Sequence, residues 1–193
     1  MEAPRVVGDR LVFSHADPHH DLRQVQLTCD DDVVDHTRFR RTAAGWTLAV
    51  PVPPVQRLEY RLLVTDAHGV SHVVLDPANP ATVATAFGHR SVAAMPGYRP
   101  PAWLRAPQVA ASRDERVVPT AVGDVPVVVW APAGLDRDES APLLVVHDGP
   151  EYDRLADLGK WAAAMVATRA LPRFRMALLQ PVARDDWYAV NPD

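Results

Sequence analysis

Apolar and polar residues alternate along the first third of the chain and run together in short blocks along the last third. Val25-Gln26-Leu27-Thr28-Cys29 alternates strictly, as a strand with one face buried does. Leu11-Val12-Phe13 starts a short strand, and Trp46-Thr47-Leu48-Ala49-Val50 after Gly45 and Leu58 to Val64 follow as further strands. Asp66-Ala67-His68-Gly69 is a turn signal, and Val70 to Leu75 completes a hairpin. These short strands without helical period predict an antiparallel sandwich. Its expected core is Phe13, Val25, Leu27, Trp46, Leu48, Tyr60 and Leu62, with Cys29 a small buried residue on its strand.

Prolines 77, 80, 96, 100, 101 and 107 interrupt the next stretch, which has no sustained period. It is expected to be an extended connector anchored by Phe87, Tyr98 and Trp103. Beyond it the pattern becomes α/β. Arg116-Val117-Val118 predicts a short strand ended by Pro119, and Pro126 marks the start of a strand over Val127 to Trp130. Leu143 to Val146 is an apolar run of the kind buried on both faces of a sheet. Tyr152 to Thr168 predicts one helix whose apolar face carries Leu155, Leu158, Trp161, Ala162 and Met165. Met176 to Leu179 is the next strand, so strand, helix and strand form a right-handed crossover. The expected domains are residues 1–105 and 106–193.

Composition narrows the function classes. The 193 residues hold 48% hydrophobic and 23% charged residues, enough for a core and too apolar for a disordered chain. No apolar run approaches the roughly 18 residues of a membrane helix. A net charge of -4 without a basic cluster argues against nucleic acid as a partner. Cys29 is the single cysteine, so an internal disulfide or a thiolate metal cage is excluded. The first residues carry no signal-peptide pattern, and the expected location is cytoplasmic.

Tyr60-Arg61, Asp76-Pro77-Ala78-Asn79-Pro80 and Ser91 to Tyr98 resemble the amino-terminal domain of enterochelin (ferric-siderophore) esterases. Val127 to Pro132, Leu143 to Tyr152 and Arg175 to Tyr188 resemble the start of their catalytic domain, an α/β-hydrolase of the esterase D type. The resemblance implies an immunoglobulin-like early-set β-sandwich followed by a partial three-layer α/β-hydrolase domain. It implies a serine ester hydrolase acting on a small-molecule ester, without a cofactor or metal. The family's Gly-x-Ser-x-Gly elbow holds its serine on a strained strand-to-helix turn. None of Ser14, Ser71, Ser91, Ser112 and Ser140 stands in such a motif, and Gly69-Val70-Ser71-His72-Val73 is a half-match inside a hairpin. The sequence therefore reads as the amino-terminal part of an esterase, inactive alone, with the nucleophile, acid and histidine elsewhere. Siderophore, aryl and peptide-linked esters all stay open as substrates.

Two loops are expected beside the pocket of the intact parent. His147, Asp148, Gly149 and Glu151 follow a buried strand, where the fold supplies one oxyanion N–H from Gly149 or Glu151. Arg184, Asp186, Trp187 and Tyr188 follow the next strand, where arginine suits a carboxylate or phenolate and the aromatics suit an aromatic acyl group. His15, His19, His20, Asp17 and Asp21 offer metal-ligand chemistry but are read as an exposed loop, and Asp30-Asp31-Asp32 as a turn. The alternative function is a non-catalytic glycan- or partner-binding module with Trp46 and Tyr60 as the glycan platform. Self-association through an exposed edge of the incomplete sheet is also expected.

Overall fold

The computed structural model describes residues 2–29, 33–121 and 123–184. It contains three sheets and two α-helices, divided between two compact units, Met1–Arg99 and Pro100–Asp193.

The first unit holds nine strands: β1 (Arg5–Val7), β2 (Arg10–His15), β3 (Leu22–Thr28), β4 (Arg40–Thr42), β5 (Gly45–Pro51), β6 (Arg57–Asp66), β7 (Ser71–Val74), β8 (Thr82–Thr85) and β9 (Gly88–Ala94). One sheet runs β1-β2-β5-β4, the other β3-β6-β9-β8 with β7 beside β6. All pairs are antiparallel. The two sheets share one core, because alternation turns Phe13, Val25, Leu27, Trp46, Leu48, Tyr60 and Leu62 inward, and all seven are buried. Phe13 meets the Tyr60 ring edge-on at 5.1 Å. Gly45 sits at φ 125°, and a Cβ there would come within 2.4 Å of His15 O, so the start of β5 needs glycine.

The stretch from 76 to 107 is not a plain connector. Thr82–Thr85 and Gly88–Ala94 form a hairpin whose second strand pairs with β6. The β-branched Thr82-Val83 and the Thr85–Gly88 turn drive it, and the flanking prolines mask that signal. Phe87, expected as an anchor, stands at the hairpin tip and is 77% exposed. Asp76 to Ala81 is a closed loop. The Ser91 hydroxyl accepts from the Asp76 N–H at 2.9 Å, Asn79 Nδ2 donates to Val92 O at 2.8 Å, and Asn79 Oδ1 accepts the Ala81 N–H. Cys29 lies just past the end of β3, half-buried against the core.

The second unit begins with a short 3-10 helix, Ala102–Arg105. Strands β10 (Ala111–Thr120), β11 (Gly123–Pro132), β12 (Leu143–His147) and β13 (Arg175–Leu179) form a sheet of order β10-β11-β13-β12. β12 and β13 are parallel and the other pairs antiparallel. Between β12 and β13 lie α1 (Gly149–Ala156) and α2 (Leu158–Ala167). The expected single helix is broken at Asp157, which adopts φ 53° and ends α1. Trp130, Ala162, Ala163, Phe174, Met176 and Leu178 make the core between helices and sheet.

Three strand expectations change here. Pro119 does not end β10 but pairs opposite Asp124, next to the hairpin turn of an edge strand, where a missing donor costs little. Pro126 lies inside β11. Its carbonyl accepts from the Gln180 N–H, so its missing donor faces a point just past the last paired residue of β13. Leu143, Leu144 and Val145 are 60%, 41% and 49% exposed, and among the described residues β12 is the edge strand of the sheet and not an interior one.

Candidate functional site

The two parallel strands end side by side, His147 in register with Leu179. The segments leaving these two strand ends build the site. Asp148 turns the chain at φ 53° and ψ 28°, and α1 starts at Gly149 with Pro150 in its first turn, where a missing N–H is tolerated. A Cβ on Gly149 would stand 2.4 Å from Leu178 Cα, so only glycine lets the start of α1 rest on β13. The Asp148 carbonyl accepts from the Glu151 and Tyr152 N–H groups at 3.0 and 3.1 Å. That bond occupies the Glu151 donor and leaves Gly149 as the candidate of the pair.

Arg184, after β13, reaches across to the loop after β12. Its Nη2 donates to Asp148 Oδ2 at 2.6 Å, with the Asp148 side chain only 15% exposed. Arg184 and Asp148, members of two separate loops in the sequence, are thus one ion pair. His147 is exposed at the strand end, and Glu151 lies 4.0 Å from Arg154 one turn along. Asp186, Trp187 and Tyr188 lie outside the described residues, as do Asp30, Asp31 and Asp32. A hollow of about 430 Å³ lies at this end of the sheet, lined among others by Arg116, Val127, Pro150, Leu178 and Gln180. A larger one of about 790 Å³, with Arg113, Trp130, Asp153 and Lys160 in its walls, lies toward the other end. Trp130 pairs with Met176 near the start of β13, so that hollow is remote from the strand ends.

Chemically, the arrangement offers the positive end of α1 at the carboxyl ends of two parallel strands. Each of the five serines lies elsewhere, four inside strands β2, β7, β9 and β10 and Ser140 in the loop before β12.

Sequence reasoning misses two polar centres. Asp17, read as part of an exposed loop, is 5% exposed. It accepts from Trp46 Nε1 at 3.0 Å, from the Asp21 and Leu22 amides, and from Arg41. Burial alone would raise its pKa, but these donors outweigh it and hold the carboxyl below its ordinary value. Asp153 is the other. It accepts the Gly159 N–H at 2.9 Å, bridging the break between α1 and α2, and pairs with Arg113 of β10. Here too burial is overridden by the donors, and the pKa falls. Each centre has partners far along the chain, Trp46 and Arg41 for Asp17 and Arg113 for Asp153, which no local motif signals. Trp46 and Tyr60 are 8% and 0% exposed, so neither ring forms a glycan platform.

No family model and no curated protein sequence matches the chain. Solved structures do. The enterobactin esterase of Shigella flexneri, crystallised in the presence of enterobactin, superposes with a TM-score of 0.67 at 16% identity, over 93% of this chain and 55% of that one. The ferric enterobactin esterase of Salmonella typhimurium gives 0.70 at 17% identity, over 90% and 53%. The chain shares their fold and spans about half the length of these structures.

Proposed function

We propose that this chain is the amino-terminal part of a serine ester hydrolase built like the enterobactin esterases. The first unit forms an immunoglobulin-like early-set sandwich and the second the first part of an α/β-hydrolase domain, with the boundary near residue 100 and not at the expected 105/106. The observation that carries the reading is the sheet order β10-β11-β13-β12, with an antiparallel entry, a parallel β12–β13 pair and the helices crossing between them. In open α/β sheets, ligands are held outside the carboxyl ends of the parallel strands. That is where Asp148, Gly149 and Arg184 meet.

In this reading the Gly149 N–H is one of the donors that stabilise the oxygen made negative when a serine attacks an ester carbonyl. Arg184 borders the acyl side. The serine on its elbow, the acid and the histidine come from the rest of the parent enzyme. The substrate is a small-molecule ester, with enterobactin, the ligand of the Shigella structure, as the first compound to try. The parent works in the cytoplasm.

The test is hydrolysis of para-nitrophenyl acetate by the purified 193-residue chain. The reading predicts no serine-dependent turnover. A burst abolished by a serine-directed phosphonate would overturn it, because it would place a working nucleophile among these residues.

A further inference from the structure

We infer that the hollow of about 790 Å³ in the second unit is a binding site for a small carboxylate with an apolar body. The inference does not depend on the esterase reading. The hollow is remote from the strand ends where Asp148 and Arg184 meet. It stands at the β10–β11 end of the sheet order, so a sheet that continues past β12 extends away from it. Its volume falls within the roughly 300–1,000 Å³ of ordinary small-molecule sites. The observation that carries the inference is an indole N–H. Trp130 is 1% exposed, and its ring is held against Phe174 at a centroid distance of 5.9 Å. Among the described residues, no acceptor takes its Nε1–H, and the nitrogen opens on the hollow that the ring lines. Trp46 gives the contrast, since its Nε1–H is given to Asp17. A donor so deeply placed carries its desolvation cost until an acceptor arrives.

Further donors converge on the same wall. Gly159 has no side chain, and an atom at its Cβ position would stand 2.9 Å from Arg113 Nη2 and 3.3 Å from Trp130 Nε1. Glycine keeps that space clear. Lys160, the next residue of α2, also lines the hollow, and its Nζ donates to Leu104 O at 2.7 Å with two N–H groups to spare. The carboxylate in this cluster is occupied: Asp153 accepts the Gly159 N–H through Oδ1 and Arg113 Nη1 through Oδ2. Asp157 is in the wall too, but it is exposed and its charge is screened by water. The groups that remain are donors, which suits an anion. Asp153 offsets the charge of Arg113, so Lys160 is left as one positive charge, matching a carboxylate better than a doubly charged phosphate. Ala106, Val109, Ala110 and Ala111 supply the apolar part of the lining, with side chains too small to fill it.

Proton–nitrogen NMR of the intact chain tests this, with phenylacetate as the probe and Trp130→Phe to assign the Trp130 indole peak. Phenylacetate is expected to move that peak saturably, in the direction of an N–H gaining an acceptor. Phenylacetamide, of the same shape without the charge, is expected to bind about tenfold more weakly or worse, the loss of one charge-assisted bond. Lys160→Met is expected to weaken phenylacetate binding by a similar factor with an unchanged circular dichroism spectrum. Ala110→Leu, at an exposed position of the lining, is expected to weaken it by narrowing the apolar part. A Trp130 peak that phenylacetate does not move overturns the inference. Equal binding of phenylacetamide, tighter binding of benzylphosphonate, or binding that both variants leave unchanged overturns it as well. Movement confined to the amides near Asp148 and Gly149 would put the ligand at the strand ends and overturn it too.

Discussion

The Tyr60 hydroxyl donates to Asp76 Oδ2 at 2.6 Å inside the first unit, tying the middle of β6 to the start of the Asp76–Pro80 loop. Asn79 Nδ2 donates to the same Tyr60 oxygen at 3.1 Å. The segment that carries the family resemblance is therefore a clamp and not a binding motif. Burial, reinforced by the hydrogen bond to Asp76, pushes the Tyr60 phenol well above its ordinary pKa, so it remains a donor throughout the physiological range.

Tyr60→Phe removes that donor and leaves a buried carboxylate short of a partner. The expected loss is roughly 1.5–3 kcal/mol, the usual value of a hydrogen bond to a charged group. Urea unfolding of wild type and variant measures it. A loss near zero would mean that Asp76 is satisfied without Tyr60.

Trp46→Ala deletes a buried aromatic and the Nε1–H that Asp17 accepts. We expect about 3–5 kcal/mol of lost stability, the range for large core aromatics. The Arg41 guanidinium, 4.9 Å from the ring centroid, loses its stacking surface at the same time. A loss below about 1 kcal/mol is what a surface site gives and would contradict this packing.

His15 provides a pH signature. Burial lowers its pKa below the ordinary histidine value of 6.5, against the opposing pull of Asp76 and Asp17. The folded state therefore binds its proton less readily than the unfolded chain. The His15 contribution is fully present above pH 6.5 and is lost as pH falls through the lowered folded value. Asp17 acts in a separate, more acidic window, its contribution fading below 3.8 as pH falls through its own lowered value. Comparing urea midpoints of wild type and His15→Gln from neutral to mildly acid pH checks the first window. The wild type should lose stability there and the variant should lack that component.

The legibility of the fold in the sequence depends on the range of each interaction. The seven predicted core residues of the first unit are buried because strict alternation leaves one inward face. The β8–β9 hairpin is hidden because proline punctuation on both sides outweighs four β-branched or small residues between them. For β12, the apolar run reads correctly as a strand, but the burial expected on both its faces is not found among the described residues. Its exposure arises from what stands beside it, and local pattern carries nothing about that. At the site, chain order alone places both loops at strand ends. The ion pair that joins Asp148 to Arg184 needs the parallel pairing of β12 with β13, which emerges only in three dimensions.

Gly149→Ala tests the seating of α1. The added methyl meets Leu178 backbone and Cβ at 2.4–2.5 Å, so helix or strand must shift. A cost of roughly 1–3 kcal/mol is expected, as for overpacking elsewhere. Hydrogen exchange at the Glu151 and Tyr152 amides, both bonded to Asp148 O, should rise with it. Unchanged stability and exchange would show that α1 does not depend on this close approach.

The most direct test of the ester-hydrolase account is to label the longest polypeptide encoded with these residues, using a serine-directed phosphonate during ester hydrolysis, and to locate the label by mass spectrometry. The account predicts enzymatic hydrolysis and a single labelled serine in a Gly-x-Ser-x-Gly turn outside residues 1–193. A label on Ser14, Ser71, Ser91, Ser112 or Ser140, or no labelled serine and no hydrolysis, would contradict it.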